Sequence, residues 1–335
     1  MKAFKTIRSQ EWWTYKLPPL LAIGYATCSF SSVPLFEISV QLFVILISLV
    51  VGAIYVSVIN DITDLEEDLA SGKSNRVQNI PAKYRWLIPV VCVTIGIAFE
   101  YNYYPDVLSC ILYLGSWIAF SLYSIKPFRL KNRGIFGVLA DACGSHLFTG
   151  LLMVSSISYL TKQHVNWYWF SVIGIWSLCY GLRGILWHQF ADRDNDISVN
   201  LNTYASKIKP EDFAVKSKYI FLIESVALIF MLYQLKSVTA LIGLAVYFLL
   251  TVIRVRLYKS RVILILFDKH ERFQILLADY YQMIFPIAVL FDALLLNYLN
   301  IFVLIFHILL FPFPIRNALH DFTKFFKNLL FDRHL

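Results

Sequence analysis

The chain has 335 residues, of which 58% are hydrophobic and 16% charged. A soluble domain carries charge on about a quarter of its residues, so this composition excludes an ordinary soluble protein and points to the lipid bilayer as surroundings. Lys and Arg number 30 against 22 Asp and Glu, and in a membrane protein such an excess marks cytoplasmic loops, so no nucleic-acid partner is expected.

Residues 1–16 are basic and lack a small-residue cleavage site, which makes them a cytoplasmic leader into a retained first helix. A crossing needs about 20 apolar residues. Stretches of that kind lie at 17–35, 41–60, 86–104, 107–125, 135–157, 167–190, 218–235 and 238–257, with no linker that would separate a second domain from a single unit over 1–335. The last apolar run, 277–313, is too long for one straight crossing, and Asn297 to Asn300 is a candidate hairpin. The expected fold is an all-α integral membrane bundle of nine helices, or ten with that hairpin, around a central apolar cavity opening to cytoplasmic loops. Ten helices place 28 of the 30 basic residues on one side, with Lys162 and Lys236 on the other. Segments 259–275 and 316–335 mix apolar and basic residues and read as interfacial amphipathic helices. The five cysteines, Cys28, Cys92, Cys110, Cys143 and Cys179, have no metal-ligand spacing and read as small core residues.

Two acidic clusters stand at helix ends. After the second span, Asn60, Asp64 and Asp68 are spaced by four and share a helical face, with Asp61 beside them. The sixth span ends in Asp192 and Asp196, again four apart and at the same membrane face. A solvated loop start would account for either run alone. Two facing sets of hard oxygen ligands instead suit magnesium, which uses one or two carboxylates and completes its shell with water and phosphate oxygens. A diphosphate bridged by magnesium is the natural ligand, because its charge would otherwise repel the aspartates. Basic residues follow each cluster, Lys73 and Arg76 after the first and Arg193, Lys207 and Lys209 after the second, with Arg129 and Lys131 in the loop after the fourth span. Each is a phosphate ligand or a topology signal.

These motifs resemble the UbiA superfamily of intramembrane prenyltransferases. Its NDxxDxxxD signature is matched by Asn60, Asp61, Asp64 and Asp68, followed by Asn75 and Arg76; its YSxxPxRLKxRG pattern by Tyr123, Ser124, Pro127, Arg129, Leu130, Lys131, Arg133 and Gly134; and its DxxxD by Asp192 and Asp196. The resemblance covers about residues 17–300. Where the family often carries Tyr and Lys before DxxxD, this chain has Gly184 and His188, with Arg183 adjacent to supply charge. Nine helices are usual in the family.

The resemblance implies that magnesium held by Asp64, Asp68, Asp192 and Asp196, with Asn60 and Asp61 as further ligands, binds an isoprenyl diphosphate. Lys73, Arg76, Arg129, Lys131, Arg183 and His188 would contact the diphosphate, and Tyr123 would face an allylic cation. A small or lipidic acceptor, aromatic by family association, captures the cation, in a bacterial inner or organellar membrane. The competing readings are a cyclase of the same fold without an acceptor, phosphoribosyl transfer to a lipid phosphate, and an ion-coupled transporter. The transporter is disfavoured because its charges would lie near the midplane.

Overall fold

The computed structural model describes residues 9–267 and 270–331. Most of the leader, 1–8, and the last residues of the tail, 332–335 with Arg333, lie outside the described residues. The chain is helical almost throughout. The helices are α1 (Leu17–Cys28), α2 (Ser39–Thr63), α3 (Leu87–Tyr103), α4 (Val107–Ser124), α5 (Ile135–Leu160), α6 (Trp167–Ser198), α7 (Pro210–Leu235), α8 (Val238–Tyr258), α9 (Tyr280–Leu296), α10 (Ile301–Leu310) and α11 (Pro312–Phe331). Among the described residues six helices are long and apolar enough to cross a membrane, or seven if the bent pair formed by α10 and α11 counts as one span.

Every residue of α1 is buried, and α1 packs against α5 and α9. It is shorter than the sequence suggests because hydroxyls beyond it take its terminal carbonyls: Ser29 donates to Ala26 O and Ser31 to Cys28 O. Between helices in lipid there is little hydrophobic driving force, so association rests on close packing and hydrogen bonds. A methyl group on Gly24 of α1 would overlap Met153 of α5. Trp169 donates to Thr27 Oγ1 at 3.0 Å, Ser109 pairs with Ser156 at 2.9 Å, and Ser116 donates to Gly144 O at 2.7 Å. The last of these seats α4 against a π turn, Cys143–Leu147, inside α5.

α6 is a continuous helix eight residues longer than the apolar stretch that announces it, so Asp192 and Asp196 stand on a rigid extension of the bundle rather than in a loop. α7 likewise starts earlier, with Pro210 in its first turn and Glu211 and Asp212 at its positive end.

Segment 259–275 is not a helix. Lys259 takes a left-handed conformation that ends α8, and β1 (Arg261–Ile263) pairs in parallel with β2 (Phe273–Ile275). β-Branched and aromatic residues favour this extended form. Asp268 and Lys269 lie outside the described residues. The candidate hairpin is a short turn, Tyr298–Asn300, which breaks α9 from α10. Asn300 Oδ1 accepts the Phe36 N–H at 2.9 Å, and Leu310 O accepts Trp13 Nε1 at 2.9 Å, so α10 runs alongside α1 from one of its ends to the other. The chain then bends by 82° into α11. Arg254 of α8 fixes that helix by pairing with Asp321 at 2.7 Å, while its other nitrogen holds Asp279 at 2.7 Å.

Candidate functional site

α2 ends beside α4, where Asn60 Oδ1 accepts the Ser124 hydroxyl. The helix pauses at Asp64 and resumes as a short acidic helix, Leu65–Ala70. Asn60, Asp64, Glu67 and Asp68 all line one cavity. Asp61 does not line it. One residue is about 100° around a helix, and this rotation buries Asp61 at 1% exposure, with Arg76 Nη1 at 3.7 Å. Asn75 donates to Asp61 O at 2.8 Å and to Asp68 Oδ2 at 2.7 Å. The Asp61 side chain therefore stands outside the cavity, and its backbone carbonyl holds the loop that follows the helix. The turn depends on Gly72, whose φ of +74° disfavours a side chain.

The last turn of α4 supplies Tyr123 and the loop after it Lys131, which both line the cavity, and Arg129, which does not. Lys131 Nζ contacts Asp64 Oδ1. Arg129 forks onto Glu67, with Nη1 to Oε1 at 2.6 Å, and also reaches Asp64 Oδ1 at 3.2 Å. Burial alone would lower its pKa; the hydrogen bond and charge of Glu67, with Asp64, more than offset this and hold the guanidinium above its ordinary value. Arg129 thus braces the first acidic cluster from behind instead of facing the cavity. Gly134 donates its N–H to Asn202 O at 3.1 Å and bridges to Thr203, tying this loop to the one after α6.

On α6, His188, Asp192, Asn195 and Asp196 face the cavity. Asp192 Oδ1 lies 3.4 Å from Lys73 Nζ, which belongs to the loop behind the first cluster. Asp196 is buried, accepts the Thr203 hydroxyl at 2.9 Å, and lies within electrostatic reach of Lys73 and Lys131. Arg193 points away and donates to Ala205 O at 3.0 Å. Lys207 and Lys209 are exposed outside the cavity.

Arg183 also lies elsewhere. It is 2% exposed, pairs with the buried Glu224 of α7 at 2.5 Å, and donates to Leu276 O at 2.7 Å. Five residues separate it from His188, about 140° around the helix, so the two never share a face.

The cavity is about 560 Å³. Lys73, Arg76 and the carboxylates form its mouth, and Leu20, Leu49, Ala53, Tyr55, Trp117 and Phe120 form apolar wall beyond. The interior is less apolar than expected, because Ser48, Ser116, Asp141, Ser145 and Thr149 also line it. Sequence reasoning missed Glu67, Asp141 and Thr203. Glu67 had a signal, lying seven residues after Asn60 on the same helical face; Thr203 had none.

Among the described residues no three His, Cys, Asp or Glu side chains are gathered as a ready-made metal cage. Two pairs of carboxylates at the mouth of one cavity nevertheless fit magnesium, which commonly takes one or two carboxylates and leaves the rest of its shell to phosphate and water.

The site is thus a pair of aspartate clusters at the mouth of a partly apolar cavity within an all-helical membrane fold. The chain belongs to the UbiA prenyltransferase family, whose model matches residues 17–264. Its fold resembles that of a UbiA homologue from Archaeoglobus fulgidus bound to GPP and Mg2+, with 14% identity, a TM-score of 0.58, and 91% of this chain and 99% of that one covered. The structure of a UbiA homologue from the same organism bound to DMAPP and Mg2+ gives 15% identity, a TM-score of 0.58, and coverages of 88% and 99%. No curated protein sequence matches the chain.

Proposed function

We propose that this protein transfers an isoprenyl group from a prenyl diphosphate to an acceptor within the membrane, with magnesium as cofactor. The observation that carries the reading is the Lys73 to Asp192 contact at 3.4 Å. It brings the first and second acidic clusters, 128 positions apart between Asp64 and Asp192, to the mouth of one cavity. A lone acidic loop start would have no reason to meet its counterpart there. The A. fulgidus homologues that share the fold hold GPP or DMAPP with Mg2+, which supports the same substrate class here.

Asp64, Asp68, Asp192 and Asp196 would hold the magnesium, whose chemistry is to neutralise diphosphate and make it a better leaving group. Lys131 and Lys73 balance Asp64 and Asp192. With magnesium held by the carboxylates, Lys73, Lys131 and Arg76 would contact phosphate oxygens. Arg129 keeps Asp64 and Glu67 in place. The Tyr55 and Trp117 rings, 4.7 Å apart, stand in the cavity wall where a cationic prenyl chain would lie. The surrounding walls exclude water from it. With α7, the short helices α1, α9 and α10 complete a bundle of ten membrane elements, or nine if α10 does not cross, with the aspartate loops cytoplasmic and the acceptor aromatic.

The test is release of diphosphate from geranyl and farnesyl diphosphates by the purified protein, with and without magnesium, followed by mass analysis of the lipid product. Release should require magnesium and fall at least about a hundredfold in Asp64→Ala and Asp192→Ala, with both variants still inserted and folded. Full activity in both variants overturns the assignment. A product with the mass of a cyclised chain would assign the cyclase reaction instead.

A further inference from the structure

A carboxylate inside a membrane span is costly unless it is paired or functional. Other acidic side chains in or beside these helices have such partners: Glu224 pairs with Arg183, Asp279, just ahead of α9, with Arg254, and Asp292 accepts the Ser237 hydroxyl. Asp141 differs. It lies six residues into α5, about 9 Å along the helix from its cytoplasmic start, and lines the same cavity as the two acidic clusters. Among the described residues no cation pairs with it, and its carboxylate has a single long contact, 3.4 Å from Ser145 Oγ.

The local backbone explains this exposure to the cavity. α5 widens into the π turn directly after Asp141, at Cys143–Leu147, and such turns occur disproportionately at functional sites. Ser145 spends its hydroxyl elsewhere, with Asp141 O at 2.8 Å and His146 Nδ1 at 2.6 Å. Ser116 is held by Gly144 O at 2.7 Å, and Thr149 donates to Ser145 O at 2.9 Å. The neighbouring hydroxyl protons are therefore committed to other acceptors, and the Asp141 carboxylate stands as an acceptor awaiting a donor from the cavity. Gly137, about one helical turn before Asp141, packs against the Lys131 backbone, which sets Asp141 about one turn deeper than that loop, where the reacting end of a prenyl chain would emerge from its diphosphate.

We propose that Asp141 recognises the prenyl acceptor by accepting a hydrogen bond from a hydroxyl group on it, so that the acceptor class is a hydroxyl-bearing molecule such as a phenol and not a carboxylate or a hydrocarbon. This rests on the prenyl-transfer reading for its meaning, but its test does not. The full-length protein in detergent is titrated with 4-propylphenol, its methyl ether and 4-propylbenzoate, with Mg2+ and geranyl S-thiolodiphosphate present.

The phenol should bind at least about tenfold more tightly than the ether, the worth of a hydrogen bond to a charged acceptor, and more tightly than the benzoate. In Asp141→Leu that preference should fall below about threefold, with the near-isosteric Asp141→Asn between the two. Affinity for geranyl S-thiolodiphosphate should stay within about twofold of wild type in both variants, a check that they remain folded. Equal binding of phenol and ether by the wild type, tighter binding of the benzoate, or a preference that survives both substitutions overturns the proposal. If geranyl S-thiolodiphosphate fails to bind while the phenol preference and its dependence on Asp141 remain, the prenyl-diphosphate reading falls and the hydroxyl site stands.

Discussion

Arg183 and Glu224 form a charged pair with almost no access to solvent, at 2% and 0% exposure. The guanidinium also takes the carbonyls of Leu264 and Leu276, and its face lies over the Phe221 ring at 5.0 Å. It therefore clips the strand-bearing segment between α8 and α9 to the bundle. Removing one member of such a pair strands the other charge, at a cost of about 3 to 5 kcal/mol. Glu224→Leu should lower the thermal unfolding temperature in detergent by several degrees, and Glu224→Gln, which keeps a hydrogen-bond acceptor, by less. Equal losses would show that the charge, and not the hydrogen bond, is what the position requires. Geranyl diphosphate affinity of the surviving Glu224→Gln protein should be unchanged, since neither residue lines the cavity. Sequence spacing made Asp64, Asp68, Asp192 and Asp196 legible as members of one site, because a four-residue interval keeps side chains on one helical face. The same rule, applied as turns and not as proximity in the chain, separates Asp61 from Asn60 and Arg183 from His188. Proximity had drawn both into the site.

α6 shows at the scale of an element how small residues set the walls around that site. Gly181 faces the α5 backbone, where an added methyl would meet Ala142 O at 3.0 Å; Gly184, one turn on, has nothing within 4 Å. Gly181→Leu should force α5 and α6 apart, costing about 1 to 3 kcal/mol as overpacking, and should weaken binding of the phenol probe, because Asp141 and the π turn ride on the displaced helix. Gly184→Ala should be neutral or stabilise by up to about 1 kcal/mol, since it gains helix propensity without a clash. Paired melts of the two variants check this, and a loss at Gly184 as large as that at Gly181 would refute the packing argument. The contrast was not visible in the sequence, where both glycines sit in one apolar stretch. What separates them is the π turn of α5, which has no periodic signature. The strand pair β1 and β2 escaped notice for a related reason: mixed apolar and basic composition is shared by an interfacial helix and by a short extended segment, and the Arg183 contacts that favour the latter are tertiary.

For the whole molecule, the decisive arrangement is that the loops after α2, α4 and α6 meet at one cavity mouth, joined by the Lys73 to Asp192 and Gly134 to Thr203 contacts. Charge had already assigned these loops to one side, and the contacts between them agree with that grouping. The last membrane element is where charge and length pull apart. α10 has ten residues, about 15 Å of helix, half of a hydrocarbon core. Yet it runs the length of α1, itself only twelve residues, from the Phe36 contact to the Trp13 contact, so it returns the chain to the level where α1 begins. Single cysteines in a cysteine-free background, probed with a membrane-impermeant maleimide in sealed vesicles, test this. Lys83→Cys and Lys327→Cys should label from one face, and His164→Cys and Tyr298→Cys from the other. Lys327 labelling with Tyr298 would make α10 a re-entrant segment and leave nine membrane elements. Lys83 labelling with His164 would break the common cytoplasmic side of the aspartate loops, on which the proposed site depends.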